Sequence, residues 1–452
     1  MDRIILLFLL ATIALLLYKE PKELFLYFFL PVLTVIPVYY DTKLVPGIPE
    51  LGFWSAVLLP IAFAWIVNRQ AEGYRFSPVD VLILVHLAIV FSGQWHNSTY
   101  KEAQKIFYND LTIRLLPFVM ARAWFLDPES RLKMFRILIV TGAVVAVFQM
   151  IEFRFWFNVF DDPLRRVWPR SVAWGAGMKR GGLKRASGPF GHPICAGYFF
   201  TMFVPLAVWL WKNDYFESRK KGFWITVVCI GGGIASISRA PIIGIFLGLA
   251  LIWYGWSQNK GIATMLLAFV MLLASVFILP KAISYVNVDR ATAVTEDQRN
   301  AAYRKELLDN YKEVIAEKPL MGWGRFTVPV VKGQDSVDNE YLVIILQSGK
   351  VALYAYIASF TWVFVRLFVF AACGDPTRKD TRLAWCLLAS TLTALFTQAT
   401  VYSGTQTVQF FYMILGFSEG LLQAGAGAEA TPSDSPRVLG DYDHGYHFSR
   451  TL

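Results

Sequence analysis

Charge is scarce in this chain: only 17% of its 452 residues are Asp, Glu, Lys or Arg, against 56% hydrophobic. Ordinary soluble domains carry about 25% charged residues, so a soluble globular domain is excluded. Cysteine is scarcer still. Cys195, Cys229, Cys373 and Cys386 are widely spaced, which fits neither a disulfide framework nor the paired spacing of a zinc site. Small buried hydrophobes are what such cysteines usually are. Strict apolar–polar alternation is also missing, which argues against a membrane barrel. No small-x-small cleavage site follows the first apolar run, Ile4 to Tyr18, so that run reads as a retained segment rather than a signal peptide.

What the chain has is long apolar runs from end to end. They lie at about 4–18, 24–40, 51–67, 79–93, 109–125, 134–153, 194–211, 223–237, 240–256, 262–280, 350–372, 383–402 and 406–422. Each approaches the ~20 residues that cross a bilayer core, and a lipid-exposed backbone must satisfy its own hydrogen bonds. The expected fold is an all-α polytopic membrane protein with 12 to 13 transmembrane helices. The first run is short and the fifth contains Arg114 and Arg122, hence the two counts. Those arginines, eight apart, are expected roughly on one helix face, lining a common cavity. Three regions are expected: transmembrane helices and a first basic loop over 1–184, a second transmembrane domain over 185–422, and a disordered cytoplasmic tail over 423–452, which is rich in Ala, Gly, Ser and Pro.

Orientation follows from the short loops. Arg69 with Arg75, Arg131 with Lys133, Lys212 with Arg219 to Lys221, and Arg378 with Lys379 and Arg382 fall on one side if the spans alternate. That side is cytoplasmic by the positive-inside rule, which puts the long loops 154–193 and 281–349 outside. The net charge of +10 lies in loops between spans, so nucleic acid is not an expected partner. In 158–190 seven cations (Arg165, Arg166, Arg170, Lys179, Arg180, Lys184 and Arg185) oppose Asp161 and Asp162, a net of +5. An outer basic loop beside a bilayer suits an anionic substrate or lipid headgroup. The Asp161–Asp162 pair offers too few oxygens for a hard cation, and neither a metal nor a cofactor is expected.

Three stretches outside carry the polar chemistry. The first is RASGPFGHP at 185–193, with Arg185 and His192. The second is SISRAP at 236–241, with Arg239 between two apolar helices. The third begins at Arg304, passes MGWGRF at 321–326 and ends at DNEYL, 338–342. Thr295 to Gln298 forms a capping box. Leu307, Leu308, Tyr311, Val314 and Ile315 recur at helical spacing before Pro319, which predicts an amphipathic surface helix. A guanidinium beside lipid is costly unless paired, and its planar fork fits phosphate oxygens. Arg185, Arg239 and Arg304 are therefore candidate diphosphate ligands, with snorkelling or local ion pairing as the ordinary alternative. Asp338, Glu340 and His192 are candidate bases. Asp338 also suits an ordinary helix cap, and Gly191-His192-Pro193 suits an ordinary helix start. His86, within an apolar run, is expected to be a hydrogen-bonded packing residue.

Over about 185–360 these stretches together resemble the bacterial O-antigen ligase and polysaccharide polymerase family. RASGPFGHP is similar to the loop opening the family's shared domain, SISRAP to its Ser-Arg turn, and PLMGWGRF with Asn339-Glu340-Tyr341-Leu342 to the return of its long external loop. The resemblance implies a C-type glycosyltransferase fold in the bacterial inner membrane, with a site facing the periplasm or exterior. It also implies inverting, metal-free transfer from an undecaprenyl-diphosphate-linked glycan to a saccharide acceptor. Many family ligases carry a histidine before the Asn-x-Tyr-Leu stretch, where this chain has Asp338. That departure favours a surface polysaccharide polymerase over a ligase acting on lipid A-core. The rival from another class is a lipid-linked-glycan flippase or other transporter. Against it, the sequence shows no internal repeat of the kind many transporters carry.

Overall fold

The computed structural model describes residues 2–43, 49–167 and 177–429, apart from 278–279, 281–282, 284–287, 289, 291 and 335. Each of the apolar segments lies on a helix. Among the described residues the only strands are two short antiparallel pairs, Asp41–Thr42 with Leu51–Gly52 and Lys179–Arg180 with Leu183–Lys184. Six helices among the described residues are long and apolar enough to cross a membrane: Pro78–Asn97, Pro128–Phe155, Pro193–Lys212, Arg239–Trp256, Lys260–Phe277 and Glu340–Cys373. The protein is an all-α polytopic membrane protein. Shorter helices such as Asp2–Leu16 and Phe53–Val67 complete the bundle.

The Pro193–Lys212 helix is the hub. It is apolar on all sides, so no face prefers solvent, and helices Arg219–Ala235, Arg239–Trp256 and Lys379–Gln398 pack around it. Close approach is written into its glycine. A Cβ on Gly197 would sit 2.6 Å from the Pro241 ring and 2.7 Å from the Ser236 hydroxyl. That spacing brings the SISRAP turn down onto the start of the hub helix.

Glu340–Cys373 starts ten residues before the expected apolar run at 350, so 340–349 is helix rather than loop. The cause is the amphipathic segment. Thr295 caps a helix over Glu296–Asn310, a second short helix follows over Lys312–Glu317, and Leu307 and Tyr311 bury against Leu342 and Leu346. The long helix is interrupted at Gly349, where φ is 79° and ψ 178°. Segment 318–325 fills the break and takes up the backbone groups it frees: Trp323 N–H donates to Leu346 O (2.8 Å), Gly324 N–H to Gln347 O (2.8 Å), and Lys350 N–H to Pro319 O (2.8 Å). The MGWGRF stretch is thus the plug of a broken helix, and its glycines admit backbone against backbone. Asn97 and Gln94 tie the plug sideways, accepting from Lys318 Nζ (2.6 Å) and Arg325 N–H (2.7 Å).

Two further expectations change. Arg114 and Arg122 do not share a cavity, because a π-turn at Leu111–Leu115 rotates the helix between them. Arg114 pairs with Asp110, while the buried Arg122 pairs with Asp80 and donates to the Tyr74 hydroxyl. The helix Thr405–Glu429 overruns position 423, where the tail was expected to begin. The rest of that tail, and Arg170 of the basic loop, lie outside the described residues.

Gly349→Ala should destabilise the protein strongly. Its Cβ would meet Leu320 O at 2.1 Å, in a left-handed conformation. Strain of this kind costs roughly 1–3 kcal/mol even before the clash. Gly73→Ala, with nothing within 4 Å of the new methyl, should be neutral. Thermal unfolding of both variants in detergent checks the contrast. Equal midpoints would mean that the plug adds nothing to stability.

Candidate active site

A buried carboxylate that the sequence did not single out anchors the first wall of the site. Glu152, near the end of Pro128–Phe155, accepts from the backbone N–H groups of Ser187 (3.1 Å) and Gly188 (2.9 Å) and from the Ser187 hydroxyl (3.3 Å). Lys184 Nζ lies 3.9 Å away. Asn158 adds bonds to the Ser187 hydroxyl (3.2 Å) and Gly188 O (2.9 Å). Gly188 has φ of 53°, and a Cβ there would strike the Gln149 amide at 2.6 Å, so only glycine lets the loop lie this close to the helix.

Arg185 reaches from this anchored loop to the SISRAP turn. Its Nη2 donates to the Ser238 hydroxyl (2.9 Å), and its Nε approaches Ser236 O (3.4 Å). Arg180, on the small hairpin, donates to Ile237 O (2.9 Å). Ile237 holds φ of 43°, a costly conformation for a β-branched residue, and the two guanidinium groups clamp the turn that contains it. The turn presents Arg239 as the first residue of Arg239–Trp256.

These groups surround a cavity of ≈ 480 Å³. Arg185, His192, Arg239, Arg304 and Asp338 all line it, with Lys179, Arg180, Tyr303 and Tyr402. Residues from Lys179 to Tyr402 in sequence therefore share one polar space. Arg304 comes from the capped helix Glu296–Asn310, with Tyr303 beside it. The Tyr303 hydroxyl donates to Ser336 O (2.5 Å) and accepts from Ser336 N–H (2.9 Å), tying this helix to the approach of Asp338. At Arg304 desolvation by the walls lowers proton affinity; the Asp338 carboxylate opposes this, and the nearby Arg180 and Arg239 charges add to it. An arginine remains charged throughout.

Residues 338–340 divide three tasks among three side chains. The cap of Glu340–Cys373 is Asn339, whose Oδ1 accepts from Leu342 N–H (3.1 Å). Asp338 is therefore not spent on capping. It is half-buried, accepts from the Ser336 hydroxyl (3.0 Å) and faces the cationic cavity. Glu340 does not join it. That side chain is buried, accepts from Ser403 N–H (3.0 Å) and lines a separate small cavity with Asp110 and Arg114. The physical reason is the bend at the cap: Asn339 is extended (φ −156°, ψ 114°), and the helix begins directly after it.

His192 lines the cationic cavity but also has a structural task. It caps Pro193–Lys212, with Nδ1 accepting from Ile194 N–H (3.1 Å). Burial, helped by the Arg185 charge, pushes its pKa down to about 4. The Asp161–Asp162 pair is occupied elsewhere. Asp161 accepts from the hydroxyls of Tyr39 (2.8 Å) and Tyr40 (3.2 Å) and pairs with Arg165, and Asp162 accepts from Asn158 N–H (2.7 Å). Among the described residues no group of three His, Cys, Asp or Glu side chains is arranged to hold a metal ion. His86, expected as a packing residue, donates from Nδ1 to Ala352 O (2.9 Å).

Residues 224–357 match the O-antigen ligase family model. The match covers under a third of the chain and takes in the SISRAP turn, Arg304, the amphipathic segment and DNEYL; RASGPFGHP lies outside it. It supports an O-antigen ligase-like family and, in general terms, a membrane glycosyltransferase of the ligase or polymerase kind. No curated protein matches the chain.

The His192 cap predicts a pH effect. The folded pKa lies near 4, below the ordinary value of 6.5. Between those values the unfolded chain binds more protons, so this contribution is full above pH 6.5 and is lost as pH falls through 4. Asn caps helices well and does not titrate, so a His192→Asn variant should lose less thermal stability than wild type between pH 6.5 and 4. Parallel unfolding curves across that window would show that His192 is not held neutral by burial.

Proposed function

We propose that this protein is a surface polysaccharide polymerase. It transfers a glycan from an undecaprenyl-diphosphate-linked oligosaccharide to a saccharide hydroxyl at the outer face of the bacterial inner membrane. The observation that carries this reading is the gathering of Arg180, Arg185, Arg239 and Arg304 with Asp338 around one cavity. A glycosyl diphosphate already holds its leaving group. The protein must stabilise the charge that develops as the anomeric C–O bond breaks, align the acceptor and accept the acceptor's proton.

In this mechanism Arg239 and Arg304 take the diphosphate oxygens. Arg185 and Arg180 hold the turn from which Arg239 projects, so part of their hydrogen-bonding capacity is structural. Asp338, facing the same cavity and free of capping, takes the hydroxyl proton as the acceptor oxygen bonds to the anomeric carbon from the side opposite the diphosphate. The departing diphosphate carries away the bonding pair. The configuration inverts, and neither metal nor cofactor is required by these steps. His192, whose Nδ1 is engaged in capping the helix it begins, is less available than Asp338 for this role.

The distribution of cations favours an enzyme over a flippase. Those facing the cavity sit at the end of the bundle where loops 178–185, 236–241 and 300–338 meet. Among the other arginines on helices, Arg114 is paired with Asp110, Arg122 with Asp80 and Arg366 with Glu419. A passage for a charged lipid would need cations along its depth.

Lysine at Arg239 or Arg304 should keep charge but lose the bidentate fork, costing about 3 kcal/mol, roughly a hundredfold in rate. Asp338→Asn should abolish transfer while leaving the fold intact, and Glu340→Gln should be milder. The assay supplies reconstituted protein with a lipid-linked repeat alone. Chain growth supports the polymerase; transfer only after lipid A-core is added would make it a ligase. Orientation has its own check: a single cysteine at Val330, 87% exposed, should react with an impermeant thiol reagent on intact spheroplasts. Reaction only after permeabilisation would place the site on the wrong side of the membrane.

A further inference from the structure

The small cavity behind Glu340 is chemically unlike the cationic one. Its volume is ≈ 70 Å³, room for a few waters or for the hydroxyls along one edge of a sugar. A neighbouring cavity of ≈ 210 Å³ shares Arg325, Tyr402, Gly404 and Thr405 with it. Tyr402 also lines the cationic cavity, so all three spaces meet at that ring.

Two buried acceptors on its wall have no partner. His86 is 1% exposed, and its Nδ1 faces Ala352 O, which can only accept. The ring proton therefore sits on Nδ1, and Nε2 presents a lone pair; Nε2 has no hydrogen bond. Asp110 is 7% exposed, gives one oxygen to Arg114, and leaves Oδ2 unpaired. An unsatisfied buried polar atom is costly, so two on one small cavity point to a ligand. Both atoms accept, and the Glu340 carboxylate is a third acceptor facing the same space. The wall also carries the Arg114 guanidinium and the amides of Gln94, Asn109 and Gln347, so it offers acceptors and donors to an uncharged, hydroxyl-rich group. Across the opening stands Arg325, whose exposed side chain makes no hydrogen bond or ion pair among the described residues.

We infer that this cavity is the acceptor subsite, taking the hydroxyls of a neutral sugar residue, with Glu340, Asp110 and His86 as hydrogen-bond acceptors and Arg325 donating to ring or hydroxyl oxygens at its rim. The inference rests on the glycosyl-transfer reading, and it gives that reading two compartments. The diphosphate occupies the cationic cavity on the Asp338 side, the acceptor sugar occupies the neutral one on the Glu340 side, and Tyr402 lies between them. Asn339, by capping the helix, turns the two carboxylates into different spaces.

The test uses full-length protein in nanodiscs and two probes: the repeat oligosaccharide hydrolysed from the host's own surface polysaccharide, and its core oligosaccharide. Saturation-transfer NMR should detect binding of one of them to wild type. Val343→Phe, which fills the cavity wall, and Arg325→Gln, which changes an exposed side chain and spares the fold, should each weaken that binding at least tenfold. Undecaprenyl diphosphate binding should stay within twofold of wild type in both. Binding of neither saccharide, or saccharide binding that Arg325→Gln leaves within twofold, overturns the acceptor subsite, whatever the transfer assay gives. Saccharide binding that depends on Arg325, in a protein that transfers no glycan, would keep the subsite and reject the enzyme.

Discussion

The Glu152 carboxylate is the constraint on which the site depends. A buried carboxylate must be compensated, and this one is compensated by the backbone of a loop: two N–H groups, the Ser187 hydroxyl and the nearby Lys184 ammonium. That demand fixes the path of 184–188 against the helix end. Arg185 then has a defined origin from which to grip Ser238, and the grip holds Ile237 in its strained conformation and aims Arg239. Removing Glu152 would release a loop, a turn and a cation in sequence, although the carboxylate itself does not line the cavity.

A second constraint acts from the opposite wall. The break at Gly349 frees carbonyls inside an apolar bundle, and irregular backbone at that depth must find partners in the protein. Segment 318–325 provides them. The same segment delivers Arg325 to the rim of the small cavity, while the amphipathic helix before it delivers Tyr303 and Arg304 to the large one. One long excursion of the chain thus contributes a wall to each compartment, and its ends are held by a capping box at Thr295 and by Asn339 at the return.

The polar chemistry of the two compartments is complementary. The cationic cavity holds five basic side chains and one carboxylate, whereas in the small cavity the Glu340 and Asp110 carboxylates are matched by Arg114 and Arg325, beside the His86 imidazole. Placing them side by side, with a shared tyrosine, suits a reaction whose donor is a diphosphate and whose acceptor is an uncharged hydroxyl. The basic excess of the 158–190 loop is partly consumed in holding structure, as with Arg165 on Asp161 and Arg180 on Ile237, so net charge overstated what is available to a ligand.

The sequence by itself determined the helical, membrane-spanning fold, because long apolar runs have no other stable form in lipid. It also determined the capped amphipathic helix, because capping and 3.6-residue periodicity are local. Arg185, His192, Arg239, Arg304 and Asp338 were legible as suspects because charge beside lipid is expensive wherever it falls. Tertiary structure alone decided that these five share a cavity and that Glu340 does not, since the turn at Asn339 sets side-chain direction. It alone brought in Glu152 and Tyr402, whose local sequence carries no distinguishing signal, and gave Arg180 and Arg325, from stretches already marked by charge and motif, their places. It also separated Arg114 from Arg122, through a π-turn that no apolar pattern records. Local chemistry can be read along the chain; which groups meet, and which are already spent on one another, depends on packing between segments more than a hundred residues apart.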